Sequence, residues 1–215
     1  IPVKTQAVSC KILTEDNATH YFYTAKLTGL TPAADYEYRI LSGSQTTGWH
    51  HFTTAPATVA AISALIFCDS QCGQDYSVWT RTLTNAWQRH PDAHFFTDIG
   101  DLTDNGQLNW HWDSFFTAMG DMPEKHLFVP VMGNHECYSL DWKFCRPQRY
   151  LDSFTLPPNG SSRYQGYYYS YDYGPVHFIV LNTQMLELND FAPGLLQEQL
   201  DWLKQDVRSH KKTWQ

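Results

Sequence analysis

The chain has 215 residues, of which 42% are hydrophobic, so it can bury a real core as one large domain or as a medium domain with a smaller neighbour. Aromatic residues reach 15%, with 8 Trp and 13 Tyr, while charged residues stop at 17%. That balance suits a layered or sandwich-like extracellular domain better than a charged helix bundle. The formal net charge of -7 repels polyanions and speaks against a general nucleic-acid binder. Phosphate substrates stay compatible with it, because bound divalent cations can dominate the local field.

The start, Ile1-Pro2-Val3-Lys4, has neither the basic nor the apolar segment of a signal peptide, which a processed N-terminus would explain equally well. No apolar run reaches the roughly 18 residues that read as a membrane span. A secreted, periplasmic or cell-surface location is the expectation. The five cysteines, Cys10, Cys68, Cys72, Cys137 and Cys145, lack zinc-type C-x-x-C spacing and read mainly as buried or free thiols. Cys137 and Cys145 bracket one short loop and are the best pair for a disulfide. Asn17-Ala18-Thr19 and Asn159-Gly160-Ser161 fit a glycosylation pattern that also arises by chance.

Taken in chain order, residues 19–54 read as β-structure. His20 to Leu27 is rich in aromatic and β-forming residues, Tyr36 to Ile40 alternates, and Trp49 to Thr54 forms a further short strand. Gly29-Leu30-Thr31-Pro32 is turn chemistry. The stretch Leu27 to Pro32 followed by Tyr36-Glu37-Tyr38-Arg39 resembles the corner and next strand of a fibronectin type III domain. In that family the leucine packs inside and the tyrosine closes the corner. Such a sandwich needs about 100 residues, so residues 1–56 are expected to hold only part of one. Ala55 to Ala60 reads as a linker.

Residues 57–215 change to alternating strands and helices. Ala61 to Cys68 is a continuous apolar run, expected to be a strand buried on both faces. Strands are also expected at His94–Ile99, Leu127–Met132, Gly166–Tyr173 and Val176–Leu181, and helices at Ser77–Gln88, Leu108–Met119 and Leu195–His210. Trp110, Trp112, Phe115 and Phe116 sit at helical spacing and read as core. The order argues for an α/β layered domain around a central sheet.

Three of those strands end in polar clusters: Asp69-Ser70-Gln71, Gly100-Asp101-Leu102-Thr103-Asp104 and Gly133-Asn134-His135-Glu136. Ligand sites of open α/β sheets lie beyond the carboxyl ends of strands, so the clusters are expected to converge. Asp101 could bridge two metal ions, Asp69 and Gln71 could face one of them, and Asn134 could give a neutral oxygen to the other. An oxygen-rich set favours hard or borderline divalent ions such as Mn, Fe, Zn or Mg.

The succession D-x-Q, GD, GNHE resembles the calcineurin-like metallophosphoesterase family and its purple acid phosphatase branch, over about residues 62–215. A fibronectin-like lead segment fits that branch. The resemblance implies a layered metallophosphoesterase domain that hydrolyses phosphate mono- or diesters with two divalent ions. It implies that Asp69, Asp101 and Asn134 are ligands and that His135 lies beside the substrate phosphate, stabilising charge or protonating the leaving oxygen. Glu136 then corresponds to the carboxylate that orients the loop.

Three departures stand out. Gln71 occupies the place of the commoner His, giving a weaker ligand or none. Asp104 stands where purple enzymes carry their iron-binding Tyr, which predicts a colourless enzyme. The family's later histidine motifs do not occur before Gln215, so the chain reads as a fragment, in which metal would be held weakly. The rival reading is a binding or adhesion protein that keeps the fold without catalysis; His94, His111 and His126 read as surface or satisfied histidines.

Overall fold

A computed structural model describes residues 6–73 and 75–214; the Ile1–Lys4 start and Gln215 lie outside them. The lead segment begins with an antiparallel ribbon of β1 (Val8–Glu15) and β2 (Ala18–Ala25). Its two-residue turn places Asp16 and Asn17 at φ 48° and 57°. Those are the residue types that tolerate the left-handed region a tight hairpin requires. β1 lies upstream of the residues expected to be β, because its own pattern alternates weakly: six of its first seven residues are exposed or nearly so.

β3 (Asp35–Tyr38) pairs with β6 (His50–Thr53), and β4 (Leu41–Ser42) with β5 (Gln45–Thr46) closes the loop between them. The Tyr36 hydroxyl accepts the Thr31 N–H at 2.8 Å, so the tyrosine does close the turn. Leu27 stays exposed. Among the described residues these strands pair only as separate two-stranded ribbons, with no common sheet. They dock on the rest of the chain through side chains. Lys11 reaches Asp152 and the Leu151 carbonyl, and the His50 Nδ1 lies 2.6 Å from Glu124.

The second part is built on β7 (Ala64–Phe67), α1 (Ser77–Arg89), β8 (Phe95–Asp98), α2 (Asn109–Met119), α3 (Met122–Lys125) and β9 (Leu127–Pro130). The three strands form a parallel sheet with β8 in the middle. α4 (Gln148–Ser153), the antiparallel hairpin β10 (Tyr169–Tyr173) and β11 (Val176–Val180), and α5 (Leu195–Ser209) follow.

Helical periodicity places Trp79, Leu83 and Trp87 of α1, and Trp112, Phe115 and Met119 of α2, in one core with Phe96 and Leu102. Trp110 and Phe116 fall off that stripe and are exposed, which corrects the expectation that all four aromatics of α2 are core. On another side of the sheet Phe95 packs edge-on to Phe178 of β11 at 5.4 Å and beside Tyr173 at 5.3 Å.

The strand buried throughout is β8, not β7. Phe95 to Asp98 are all buried, whereas Ile66 of β7 is 68% exposed. The physical reason is position: β7 is an edge strand of the sheet, and Ile66, Ile99, Val131 and Leu181 line an open groove of about 270 Å³. All five cysteines are free thiols. Cys137 and Cys145 are tied by the Cys145 N–H donating to the Cys137 carbonyl at 2.8 Å rather than by a disulfide. No helix among the described residues is long and apolar enough to cross a membrane.

Candidate metal centre

The parallel register carries the three polar clusters to the same end of the sheet. Past β7 the Asp69 N–H donates to the Gly100 carbonyl at 3.1 Å, and the Gln71 N–H donates to the Asp101 carbonyl at 3.0 Å. The sheet pairing therefore continues into the loops, and the Asp69 cluster is laced to the Asp101 cluster residue by residue. Asp69 and Asp101 both hold the left-handed backbone conformation, at φ 53° and 56°. Non-glycine residues adopt it at a cost of about 1 kcal/mol or more, and such strain concentrates at functional sites.

Two glycines make the crossing of the loops possible. A Cβ on Gly133 would stand 2.1 Å from Asp101 Oδ1 and 2.3 Å from the Asp101 nitrogen. A Cβ on Gly100 would stand 2.8 Å from the Gly133 Cα. In both places backbone atoms, which cannot swing away, stand within 3 Å, so only glycine fits at either.

Glu136 fastens the arrangement. It is the middle residue of the short 3-10 turn His135–Cys137 and is buried. Its Oε1 accepts the N–H groups of Leu102 and Thr103 at 2.8 and 3.2 Å. Its Oε2 accepts those of Gly133 and Asp101 at 2.7 and 3.1 Å. One carboxylate thus gathers four amides from two loops, satisfying donors that would otherwise be orphaned. Burial pushes its pKa up to about 7, with the Asp101 charge adding to the rise and the amides opposing it.

Asp101 is the hub. Besides its links to Gln71 and Glu136, its Oδ1 accepts the His135 N–H at 2.9 Å. The His135 ring is fixed in turn, its Nδ1 donating to the Asp104 carbonyl at 2.7 Å. Asp104 positions that ring through its backbone, with its carboxylate 3.8 Å from Nδ1. Tyr138 stands edge-on to the same ring at 5.5 Å.

Gln71 supplies the most direct sign of a ligand. Its Oε1 is buried and has no hydrogen-bond partner among the described residues, a state that costs on the order of 1–3 kcal/mol unless a cation or donor meets it. An amide oxygen beside the Asp101 loop fits a hard or borderline divalent ion. Asn134 is half-buried at the start of the 3-10 turn, while Asp69 is exposed. The loops are thus brought together, but the acidic and imidazole groups of the centre do not close into a three-ligand group within 4.8 Å among the described residues.

One residue of the site went unnoticed in the sequence. Asp98 ends β8 with both oxygens buried and without a well-formed hydrogen bond. Burial raises its carboxyl to about 7; the Ser70 hydroxyl draws it partly back, and the charges of Glu136, Asp69 and Asp101 push it further up. The signal was an acidic residue inside the apolar run Phe95-Phe96-Thr97-Asp98-Ile99. His111, by contrast, is a satisfied core histidine, accepting the Asn105 N–H at 3.1 Å.

A family model described as calcineurin-like phosphoesterase matches residues 50–215. The chain belongs to this family. Among the relatives of this chain, "Probable inactive purple acid phosphatase 9" of Arabidopsis thaliana is 26% identical over 87% of the chain and 33% of its own length. "Purple acid phosphatase 15" of the same plant is 25% identical over 85% of the chain and 37% of its own length. "Acid phosphatase type 7" of Danio rerio is 25% identical over 87% of the chain and 40% of its own length. The structure of purple acid phosphatase PPD1 from yellow lupin (Lupinus luteus) seeds superposes with a TM-score of 0.69 at 20% identity. It covers 89% of this chain and 36% of the lupin one, and it establishes the α/β metallophosphoesterase fold. The chain spans between a third and two-fifths of the length of these curated relatives.

Proposed function

We propose that the protein to which this chain belongs hydrolyses phosphate esters, mono- or diesters of small molecules, at a centre for two divalent ions. Asp69, Gln71, Asp101 and Asn134 would hold the ions, with Asp101 shared between them. When bound, the ions would supply positive charge to the phosphoryl oxygens and lower the pKa of water. The observation that carries the reading is the four-amide clamp of Glu136, which locks the Gly100-Asp101 and Gly133-to-Glu136 loops into one rigid frame.

The chain's own groups divide the work within that frame. Asp101 has its carboxylate pinned by the His135 N–H, so it is aimed before any ligand arrives. His135 offers Nε2 to the substrate side, where it neutralises developing charge or gives a proton to the leaving oxygen. Gln71 presents an uncharged oxygen with no other partner. Residues 1–56 form a partial fibronectin-like unit ahead of a phosphoesterase unit at 57–215 in this reading. A secreted, periplasmic or cell-surface location belongs to it too.

The test is hydrolysis of an aryl phosphate and an aryl phosphodiester by the full-length protein with added Mn²⁺. Asp101→Ala and His135→Ala should each lower kcat/KM by about 10²–10⁴. Unchanged turnover in both would sink the reading. A non-catalytic binding protein is the second reading, favoured by the neutral Gln71 and by a relative whose name describes it as inactive. It predicts bound metal without turnover in the same assay.

A further inference from the structure

The loop that follows the 3-10 turn is a small hairpin that carries three aromatic rings next to His135. The Ser139 N–H donates to the Lys143 carbonyl at 2.8 Å, and the Trp142 N–H donates to the Ser139 carbonyl at 2.8 Å. Tyr138 pairs with Phe144 where the two arms meet. That is a three-residue hairpin loop, in which a turn is followed by one left-handed residue. Glycine suits the left-handed place, yet Trp142 holds it, at φ 58°. A bulky residue there is a conformational outlier, and such strain gathers at active sites and ligand clamps.

The hairpin is fastened to the loop that carries Asp101. Asn105 Nδ2 donates to the Ser139 carbonyl at 2.7 Å, and the Leu140 N–H donates to Gln107 Oε1 at 3.1 Å. Its rings therefore keep a set place relative to the candidate centre. Tyr138 joins them to it, edge-on to the His135 ring at 5.5 Å, 6.0 Å from the Trp142 ring and 5.6 Å from that of Phe144. Trp142 is 58% exposed and Phe144 40% exposed, so aromatic surface is open to a ligand. The charges on the hairpin, Asp141 and Lys143, are of opposite sign, which leaves the rings as its distinguishing chemistry.

We propose that Tyr138, Trp142 and Phe144 form a platform for the leaving group of the substrate, and that this leaving group contains a planar aromatic ring. The inference rests on the phosphoesterase reading and gives it a substrate class. His135 Nδ1 is tied to the Asp104 carbonyl, so the other ring nitrogen is the one left for the leaving oxygen. What that oxygen carries then lies against the rings that adjoin His135. Aromatic faces and edges hold another ring in offset or edge-on geometry and favour it over an aliphatic group. Phenol esters and nucleoside monophosphates share that chemistry; the ring is bonded to the ester oxygen in the first and lies beyond a sugar in the second.

The experiment uses the full-length protein with Mn²⁺. It compares kcat/KM for phenyl phosphate, adenosine 5′-monophosphate and glycerol 1-phosphate in the parent, Trp142→Gly and Phe144→Leu. The parent should prefer an aromatic ester to the glycerol ester, and the better of the two tells a phenol from a nucleoside. Trp142→Gly should cut that preference about five- to ten-fold, chiefly through KM. Glycine accepts the left-handed backbone, so this variant should melt no lower than the parent. Phe144→Leu, which keeps apolar bulk without the ring, should cut the preference too and serves if Trp142→Gly melts lower. Turnover without an aromatic preference in the parent, as when another part of the protein covers the rings, overturns the platform and leaves the phosphoesterase reading standing. A preference that survives both substitutions does the same. Calorimetry with phenylphosphonate and methylphosphonate reads the ring without turnover. Phenylphosphonate should bind the parent more tightly, by a margin that Trp142→Gly removes. If no ester is hydrolysed, the phosphoesterase reading fails and this margin decides alone: its presence sustains the platform as a binding site, and its absence overturns it.

Discussion

Single atoms decide much of the candidate centre. A Cβ at position 133 has no place to go, with Asp101 Oδ1 2.1 Å away and the Asp101 nitrogen 2.3 Å away. Gly133→Ala should therefore force the two loops apart, lowering stability by about 2–4 kcal/mol and abolishing metal-dependent turnover. Denaturant unfolding and the aryl phosphate assay check both halves of that statement. Gln71 calls for the opposite kind of change. Its buried oxygen has no partner among the described residues, and an imidazole at that place is a stronger ligand for borderline ions. Gln71→His should tighten Mn²⁺ or Zn²⁺ binding to the full-length protein by about ten-fold in calorimetry. The resemblance to purple enzymes puts Asp104 at the place of their tyrosine, and an aspartate has no phenolate to give a charge-transfer band. The protein loaded with Fe³⁺ should be colourless in the visible, and an absorption band there would overturn the assignment.

Elements follow their position in the sheet more than their composition. β7 and β8 are both apolar runs, yet β8 is buried throughout and β7 is half open. Leu65→Ala should cost about 2–4 kcal/mol by opening a core cavity, whereas Ile66→Ala, at an exposed edge position, should stay within about 1 kcal/mol. Thermal melts of the two variants separate these outcomes. The α2 helix teaches the same lesson. Trp112 and Phe115 share the buried stripe, while Trp110 and Phe116, equally aromatic, lie off it because each residue turns the helix by about 100°. β1 of the lead ribbon carries its own test. Glu15 is partly buried beside Arg149, and burial raises its carboxyl to about 7 from an unfolded value near 4.5, against the pull of Arg149. A raised carboxylate pKa means that the folded chain holds a proton the unfolded one releases. Its stabilising effect is complete below about pH 4.5 and is lost as pH rises through about 7. Glu15→Gln should flatten that part of the stability-against-pH curve, by on the order of 1 kcal/mol because the group also meets water.

At the scale of the whole molecule, stability is unevenly spread. The buried aromatic mass belongs to β8, α1, α2 and the hairpin β10–β11, whereas the ribbons β1 to β6 expose Tyr21, Tyr23, Ile40 and Trp49. Amides of β3 and β6 should exchange with solvent orders of magnitude faster than those of β8, because opening them exposes little apolar surface. Hydrogen exchange read by mass spectrometry checks this. Equal protection in both parts would show instead that they unfold as one unit.

Local chemistry made a good part of this legible in advance. The glycines of Gly100-Asp101 and Gly133-Asn134-His135-Glu136, the α/β alternation and three of the helices could all be read from residue order, because sharp turns and periodicity are properties of short segments. What the order of residues could not contain was the partner of each group. Whether an apolar strand is central or an edge, which carbonyl fixes the His135 ring, and where the four amides of Glu136 come from all depend on contacts between distant segments. Asp98 looked like an ordinary polar residue in a strand until burial left its oxygens without a well-formed hydrogen bond. The sequence by itself determined the family and the three polar loops proposed to hold the ions, since those are written in contiguous motifs. Only the tertiary structure decided how the residues share protons and charge, because burial and proximity set those terms and neither is a local property.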